Sequence, residues 1–499
     1  MNRRDAIKAG AAAGAGLLMG QAGAWPEREG SGLKTPNLLF VFSDQHSWDM
    51  LGCYGNDQII SPNLDRFASQ GTRFEHCISS SPVCTPYRSM LVTGQHPLYN
   101  GCFTNDVQLR TDLQPGFGEI LRAAGYRTGW VGKWHLLGGH RNRPIPPGPH
   151  RHGFDDTFLS NNCHVDYRPG NCYYWTEEGE KVFFDEWEVF GQTRQALRFL
   201  DEADGDQPFA LFVSWHPPHD WGKFADGTWR YDTIPELMGL YDPDRIRLRP
   251  NHSHEDYDVR SYHGHMAMIS GVDQAFGWLM EKLRQKGLDR DTLVVFTSDH
   301  GDMLGSHGRP FPKTAPEDES VRVPLMMRLP GTVPEDHVSD LMVGTLDLMP
   351  TVLGLMGLPV PDYCHGSALD PEVRTGSDGA AESVPLFLFP GNWRGVYTRD
   401  VTYAVDCPQA PRPQFRVLYQ KSRDPRQLIN LFEEESHAPL RQEMHRLTLE
   451  WMDRYGDPFV DVRTLMDRCV KGSRLDIREP ESTGETLGRP IDLIQDVKL

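Results

Sequence analysis

Across its 499 residues the chain carries 69 acidic against 51 basic side chains, a formal net charge of −18. That balance excludes nucleic acid and anionic membrane surfaces as partners, because both call for a basic face. With 38% hydrophobic and 24% charged residues, the composition is globular and the length suits a large core with a second packed unit.

Arg3-Arg4 precedes a small, apolar stretch from Ala9 to Met19, and Ala22-Gly23-Ala24 fits a small-residue cleavage site. Residues 1–24 therefore read as an export signal of the twin-arginine type, which predicts a periplasmic or extracellular protein. Ala6 and Ile7 depart from the aromatic and leucine common in such signals. The stretch is too short to span a bilayer, and no cysteine follows it, so no membrane anchor is expected.

The first strand is predicted at Leu38–Phe42 and runs into Ser43-Asp44-Gln45. Ser61-Pro62 starts a helix through Leu64, Phe67 and Ala68 that Gly71 closes. In Cys84-Thr85-Pro86-Tyr87-Arg88 a thiol, a helix-starting proline and an arginine share one turn. Pro86 suits the first helical position, which puts Cys84 at a helix N-terminus, where free N–H groups favour an anion. A helix at Gly118–Ala124 leads to a strand at Thr128–Val131, which ends in Gly132-Lys133-Trp134-His135. A helix at Gln192–Leu200 precedes the strand Phe209–Val213, which ends in Ser214-Trp215-His216-Pro217-Pro218-His219. A long helical pattern from Tyr257 to Lys286 precedes the strand Thr292–Phe296, which runs into Ser298-Asp299-His300-Gly301-Asp302.

Residues 136–190 and 216–256 are rich in Pro, Gly, His and aromatics and read as site-forming loops. Asn105-Asp106, Trp215, Trp221, His252 and His254 fall in segments that would line a pocket mouth. A composition break at Asp370–Ser383 reads as a linker, followed by strands near Leu386–Phe389 and Val401–Val405 and a helix from His437 to Tyr455. The expected organisation is a catalytic α/β domain over 35–372, a smaller C-terminal α+β unit over 383–472 and a tail over 473–499. The catalytic domain would hold a large, mostly parallel central sheet flanked by helices. Nine cysteines, an odd number, leave at least one thiol unpaired, with Cys84 the first candidate.

Four strand ends thus carry Asp, Gln, Lys and His, and open α/β sheets bind ligands at such ends. Singly, Asp and His there are ordinary turn formers; together they point to one site. Asp44, Gln45, Asp299 and His300 form an oxygen-rich set with one imidazole, suited to a hard divalent cation rather than zinc. Lys133, His135, His219 and Arg88 add cations and donors, so the whole describes a pocket for a tetrahedral oxyanion.

These motifs resemble the type I, formylglycine-dependent sulfatases of the alkaline phosphatase superfamily. The likeness extends through Pro36-Asn37, Ser61-Pro62-Asn63-Leu64-Asp65, Leu91-Val92-Thr93-Gly94, Lys313 with Glu319–Leu325, and Gln427–Leu431. It implies an alkaline phosphatase-like fold and hydrolysis of a sulfate ester. It further implies that a maturation enzyme oxidises Cys84 to formylglycine, whose hydrate offers one hydroxyl to attack sulfur and a second to expel the sulfate. Asp44, Gln45, Asp299 and His300 would be the metal ligands, and Arg88 would hold the formylglycine. Lys133 and Lys313 would hold sulfate oxygens, and His135 would bond the hydrated aldehyde. His219 would protonate the leaving oxygen, with His216 as the competing choice. Gln45 stands where many relatives carry Asp, which lowers the site's negative charge and leaves calcium, manganese and magnesium open, calcium first. The expected substrate is a sulfated poly- or oligosaccharide. The alternatives are a phosphonate monoesterase or phosphodiesterase on the same scaffold, or a non-catalytic binder of sulfated glycans. Oligomeric state is not legible.

Overall fold

The computed structural model describes residues 35–465, except 140, 204, 380, 409 and 411–414. The export segment 1–24, Cys469, the end of the expected C-terminal unit and the tail 473–499 lie outside the described residues.

Strand β1 (Asn37–Asp44) is buried along its whole length. An uninterrupted apolar run of this kind belongs in a sheet covered on both faces. Leu39 and Val41 point to one side, where they meet helices α1 (Pro62–Ser69), α3 (Glu188–Asp201) and α4 (Val259–Gln285) through Leu64, Phe67, Ala196, Phe199, Val272 and Phe276. Leu38, Phe40 and Phe42 point to the other, against Tyr87 and Leu91 of α2 (Cys84–Thr93) and Leu348 and Val352 of α5 (Thr345–Leu355).

The remaining strands of the spine are β2 (Thr72–Ile78), β3 (Arg127–Lys133), β4 (Thr157–Asn161), β5 (Phe209–Pro218), β6 (Thr292–Ser298), β7 (Leu325–Arg328) and β8 (His337–Gly344). Among the described residues they belong to an 11-stranded sheet, in the order β8-β2-β7-β6-β1-β5-β3-β4. From β6 to β4 every pairing is parallel, while β7 runs antiparallel to both neighbours. Ser43 pairs with Ser298, and Ser214 pairs with both Phe42 and Gly132. This register brings the four chemistry-bearing strand ends to one level on one edge.

Local chemistry sets the boundaries. The Asp258 carboxylate accepts from the N–H groups of Arg260 and Ser261, so α4 starts at Val259, and Gly287 in the left-handed region follows its end. Helix α2 begins at Cys84, two residues before the predicted start, and Pro86 sits in its first turn, where a missing N–H leaves no helical bond unmade. All ten residues of α2 are buried, so its polar side chains must find partners inside the protein.

Gly132 has φ near +120°, and a Cβ there would lie 2.0 Å from the Ser214 carbonyl oxygen. The missing side chain lets β3 lie against β5 just before Lys133. Gly132→Ala is expected to cost about 2–4 kcal/mol, read from urea unfolding midpoints; a loss below about 0.5 kcal/mol would show that the strands part freely.

A second, antiparallel sheet of four strands follows: β9 (Val384–Leu388), β10 (Trp393–Tyr397), β11 (Val401–Asp406) and β12 (Arg416–Gln420). Helix α6 (Ala438–Tyr455) packs on it through Met444. Strands β10 and β12 were not anticipated. The expected linker is not wholly irregular either: Asp370–Thr375 is a helix whose Val373 enters the main core. The indole N–H of Trp393 donates to the Thr314 carbonyl at 3.1 Å, which ties the small sheet to the loop carrying Lys313.

Candidate active site

Cys84 is 1% exposed, and its sulfur is the centre around which the strand ends gather. His300 Nε2 lies 3.3 Å away, Lys133 Nζ 3.4 Å, Lys313 Nζ 3.5 Å and Asp44 Oδ1 3.7 Å. Burial alone would push the thiol up, but Lys133, Lys313 and His300 hold it well below its ordinary range. The site therefore stabilises negative charge at residue 84.

Arg88, one turn along α2, is fully buried, and both of its terminal nitrogens are engaged. Its Nη2 donates to Asp44 Oδ2 at 2.9 Å and Asp299 Oδ2 at 3.0 Å; its Nη1 donates to the Lys133 carbonyl and to Ser214 Oγ, both at 2.8 Å. Lys133 Nζ also donates to Asp44 Oδ2, at 2.5 Å. Arg88 is thus placed on the carboxylates, which it holds in position beside residue 84. Burial would raise Asp44, yet Lys133 and Arg88 keep it well below the usual carboxylate range. Asp299 goes the other way, pushed up by burial and by Asp44.

The donor atoms of Asp44, Cys84, Asp299 and His300 all lie within 4.8 Å of one another. His300 Nε2 is 3.5 Å from Oδ1 of both aspartates. Gln45 stands beside them with φ 65°, and its N–H donates to Asp299 Oδ1 at 3.2 Å. Its amide nitrogen faces acceptors, donating to Asp302 Oδ2 at 2.7 Å and Asp220 Oδ2 at 3.2 Å. Its Oε1 is buried with no donor. An orphaned buried acceptor costs about 1–3 kcal/mol unless positive charge meets it. Asp44 and Asp299, with Asp220 and Asp302 behind Gln45, also outnumber Arg88, Lys133 and Lys313. The residues present therefore fit a divalent cation, in an oxygen-rich set with one nitrogen.

On the solvent side, Lys313 Nζ is 2.7 Å from His219 Nε2 and 3.4 Å from His300 Nε2. Both Lys313 and His219 retain some exposure, so the pocket opens here. Nδ1 carries a proton toward the Asp220 carbonyl, and a second proton lies between Nε2 and Lys313 Nζ. Burial and Lys313 oppose charge on this ring, while Asp220 and Asp44 favour it, and the balance lies above the ordinary value.

His216 is not at the mouth. It is fully buried, with Nε2 4.0 Å from Cys163 Sγ and Nδ1 3.7 Å from Glu188 Oε1. Trp215 is also core, its indole donating to Thr193 at 3.2 Å. His252 donates to the Tyr257 carbonyl at 2.8 Å, and His254 accepts from Asp256 N at 3.1 Å, so both shape their own loop. Trp221 stays near the opening: it contacts Tyr167, whose hydroxyl donates to the His219 carbonyl at 3.1 Å.

Ser214, Asp220, Asp302, Tyr231 and Glu188 were given no role from the sequence. Glu188 is 1% exposed, accepts from Tyr174 and Gln192, and is pushed by burial from the ordinary 4.5 to about 8. The native carboxyl keeps its proton up to that pH, whereas the unfolded one releases it near 4.5. Between these limits the unfolded chain binds fewer protons, so the group lowers stability as pH rises. Glu188→Gln, uncharged throughout, is expected to gain about 1–3 kcal/mol on the parent between pH 5 and pH 8 in urea unfolding. Parallel stability curves would reject this.

The sulfatase family model matches residues 36–358. An ulvan-active sulfatase of Formosa agariphila is 31% identical over 439 residues, spanning 85% of this chain and 82% of that one. An endo-4-O-sulfatase of Bacteroides thetaiotaomicron is 27% identical over 506 residues, spanning 89% and 97%. Among solved structures, a Bacteroides fragilis protein described as a sulfatase superposes with a TM-score of 0.77 at 28% identity, covering 87% of this chain and 99% of that one. With the strand-end site in place and well over half of its length under one family model, the chain belongs to the sulfatases, enzymes that hydrolyse sulfuric esters.

Proposed function

We propose that this sulfatase removes O-sulfate from a sulfated poly- or oligosaccharide outside the cytoplasm, with residue 84 as its nucleophile. The carrying observation is the Cys84 sulfur within 3.5 Å of Lys133, Lys313 and His300. Two cations at that range suit the oxygens of a sulfuryl group more than any neutral ligand. Support for the saccharide comes from relatives named for ulvan and for 4-O-sulfate.

Asp44, Gln45, Asp299 and His300 would hold one divalent cation, calcium first, which when bound supplies positive charge beside residue 84. Conversion of Cys84 to formylglycine by a maturation enzyme would supply a carbon bearing two oxygens, one to take the sulfuryl group and one to release it. Arg88 keeps both aspartates aimed at the site. Lys133 and Lys313 hold sulfate oxygens. His219 sits by the leaving oxygen and gives it a proton, since an alcohol leaves poorly as an anion. His135 accepts a hydrogen bond from the second hydroxyl on residue 84. The phosphonate or phosphodiester alternative lacks comparable support, because the relatives at 27–31% identity are sulfatases.

The test is a screen of protein coexpressed with a formylglycine-generating enzyme. Ulvan and glycosaminoglycan oligosaccharides would be compared with an aryl sulfate and a phosphate diester. Release from a saccharide supports the proposal; turnover of the aryl ester alone rejects it. Protein from the native host should begin after Ala24, and the peptide spanning Cys84 should carry the mass of formylglycine. No helix among the described residues is long and apolar enough to cross a membrane.

A further inference from the structure

His135 has two ring nitrogens in unequal settings. Nε2 is 3.1 Å from Asp106 Oδ1. Nδ1 is buried and makes no hydrogen bond, while the ring faces the sulfurs of Cys84 and Cys163. Asp106 is itself held: Arg141 Nε donates to Oδ1 at 2.9 Å and Nη2 to Oδ2 at 2.5 Å. The preceding residue is pinned as well, since Asn105 Oδ1 accepts from Thr85 N at 2.9 Å, and Thr85 Oγ1 donates to the His135 carbonyl, also at 2.9 Å. Asp106 and His135 both take left-handed backbone conformations, φ 62° and 58°, costly for residues with a Cβ. The strained loop at Asn105-Asp106 thus joins the start of α2, His135 and the half-exposed Arg141.

We infer that Asp106 is a positioning residue: it fixes the His135 ring so that Nδ1 is the nitrogen offered to residue 84. This rests on the role given to His135 above. The logic is that of any base oriented by a third group, where the carboxylate holds the proton at one nitrogen and leaves the other free to take one. Asp106 stays ionised to do so; burial would raise it, but His135 and Arg141 hold it far below the usual range. Arg141, half exposed, keeps the carboxylate plane fixed and leaves Oδ1 facing the imidazole.

Two measurements test this. In unmodified, metal-free protein, long-range proton–nitrogen spectra should show His135 protonated at Nε2, its signals assigned by their loss in His135→Gln. In Asp106→Ala those signals should shift, with the unfolding midpoint retained. In matured enzyme assayed on ulvan oligosaccharides and an aryl sulfate, Asp106→Ala should lower kcat by about 10–100-fold with KM within about threefold. Asp106→Asn, which keeps an acceptor, should recover part of the loss. In a His135→Ala background, Asp106→Ala should cost less than about threefold, because the pair acts as a unit. Unchanged ring signals, or an equal loss in both backgrounds, would overturn the inference. A matured parent that releases no sulfate from any ester sinks the chemistry assigned to residue 84, and the ring signals then decide on Asp106 alone.

Discussion

Cys84→Ala is expected to lower sulfate release by about 10⁴-fold or more, since it removes the group proposed to take the sulfuryl group. The fold should survive, because α2 is held by Tyr87, Leu91 and the bonds of Arg88, none of which uses the sulfur. Cys84→Ser separates the two halves of the chemistry. It supplies one hydroxyl among Lys133, Lys313 and His300 but no second oxygen to expel the product. The expected result is one sulfate retained on residue 84 per chain, seen by intact mass, with turnover absent. Multiple turnovers by either variant would place the nucleophile elsewhere.

The second large effect is expected at Asp44. Its Oδ2 accepts from Arg88 and Lys133, and all three side chains are 0% exposed. Asp44→Asn keeps the shape but takes from Lys133 its carboxylate partner and leaves Arg88 with Asp299 alone. Breaking a buried pair from one side typically costs about 3–5 kcal/mol, so the metal-free variant should unfold at markedly lower urea. The parent should gain stability on titration with calcium or manganese, as any ligand of the native state confers. Asp44→Asn should lose most of that gain, and about 10³-fold or more in sulfate release. Chelation of the parent should halt turnover, with recovery on adding the cation back. A parent whose unfolding midpoint ignores every divalent cation would remove the metal from the proposal.

The two effects bear on different links. Residue 84 is the proposed nucleophile. Asp44 would couple the proposed cation to the buried Arg88 and Lys133, so one substitution reads out both stability and activity. Asp106 lies further back, where loss is smaller and more specific.

Much of this protein is written locally. β1, β3, β5 and β6 are apolar runs closed by turn residues, and strand character needs no more than that. Each has its polar residues at or just past its end, so Asp44, Lys133, His219 and Asp299 stood out before any contact was known. What local pattern could not decide is pairing at a distance. Gln45 meets Asp302 across 257 residues, and Asp44 meets Lys133 across 89. His216 and His219 lie three residues apart in one strand end, yet one is walled in by Glu188 and Cys163 while the other opens to Lys313. β10 and β12 were missed because an antiparallel strand in a small sheet needs its neighbours to reveal a face. The residue types chose the reaction; parallel register and burial chose the partners, because a charge inside a protein takes its meaning from whatever the fold sets against it.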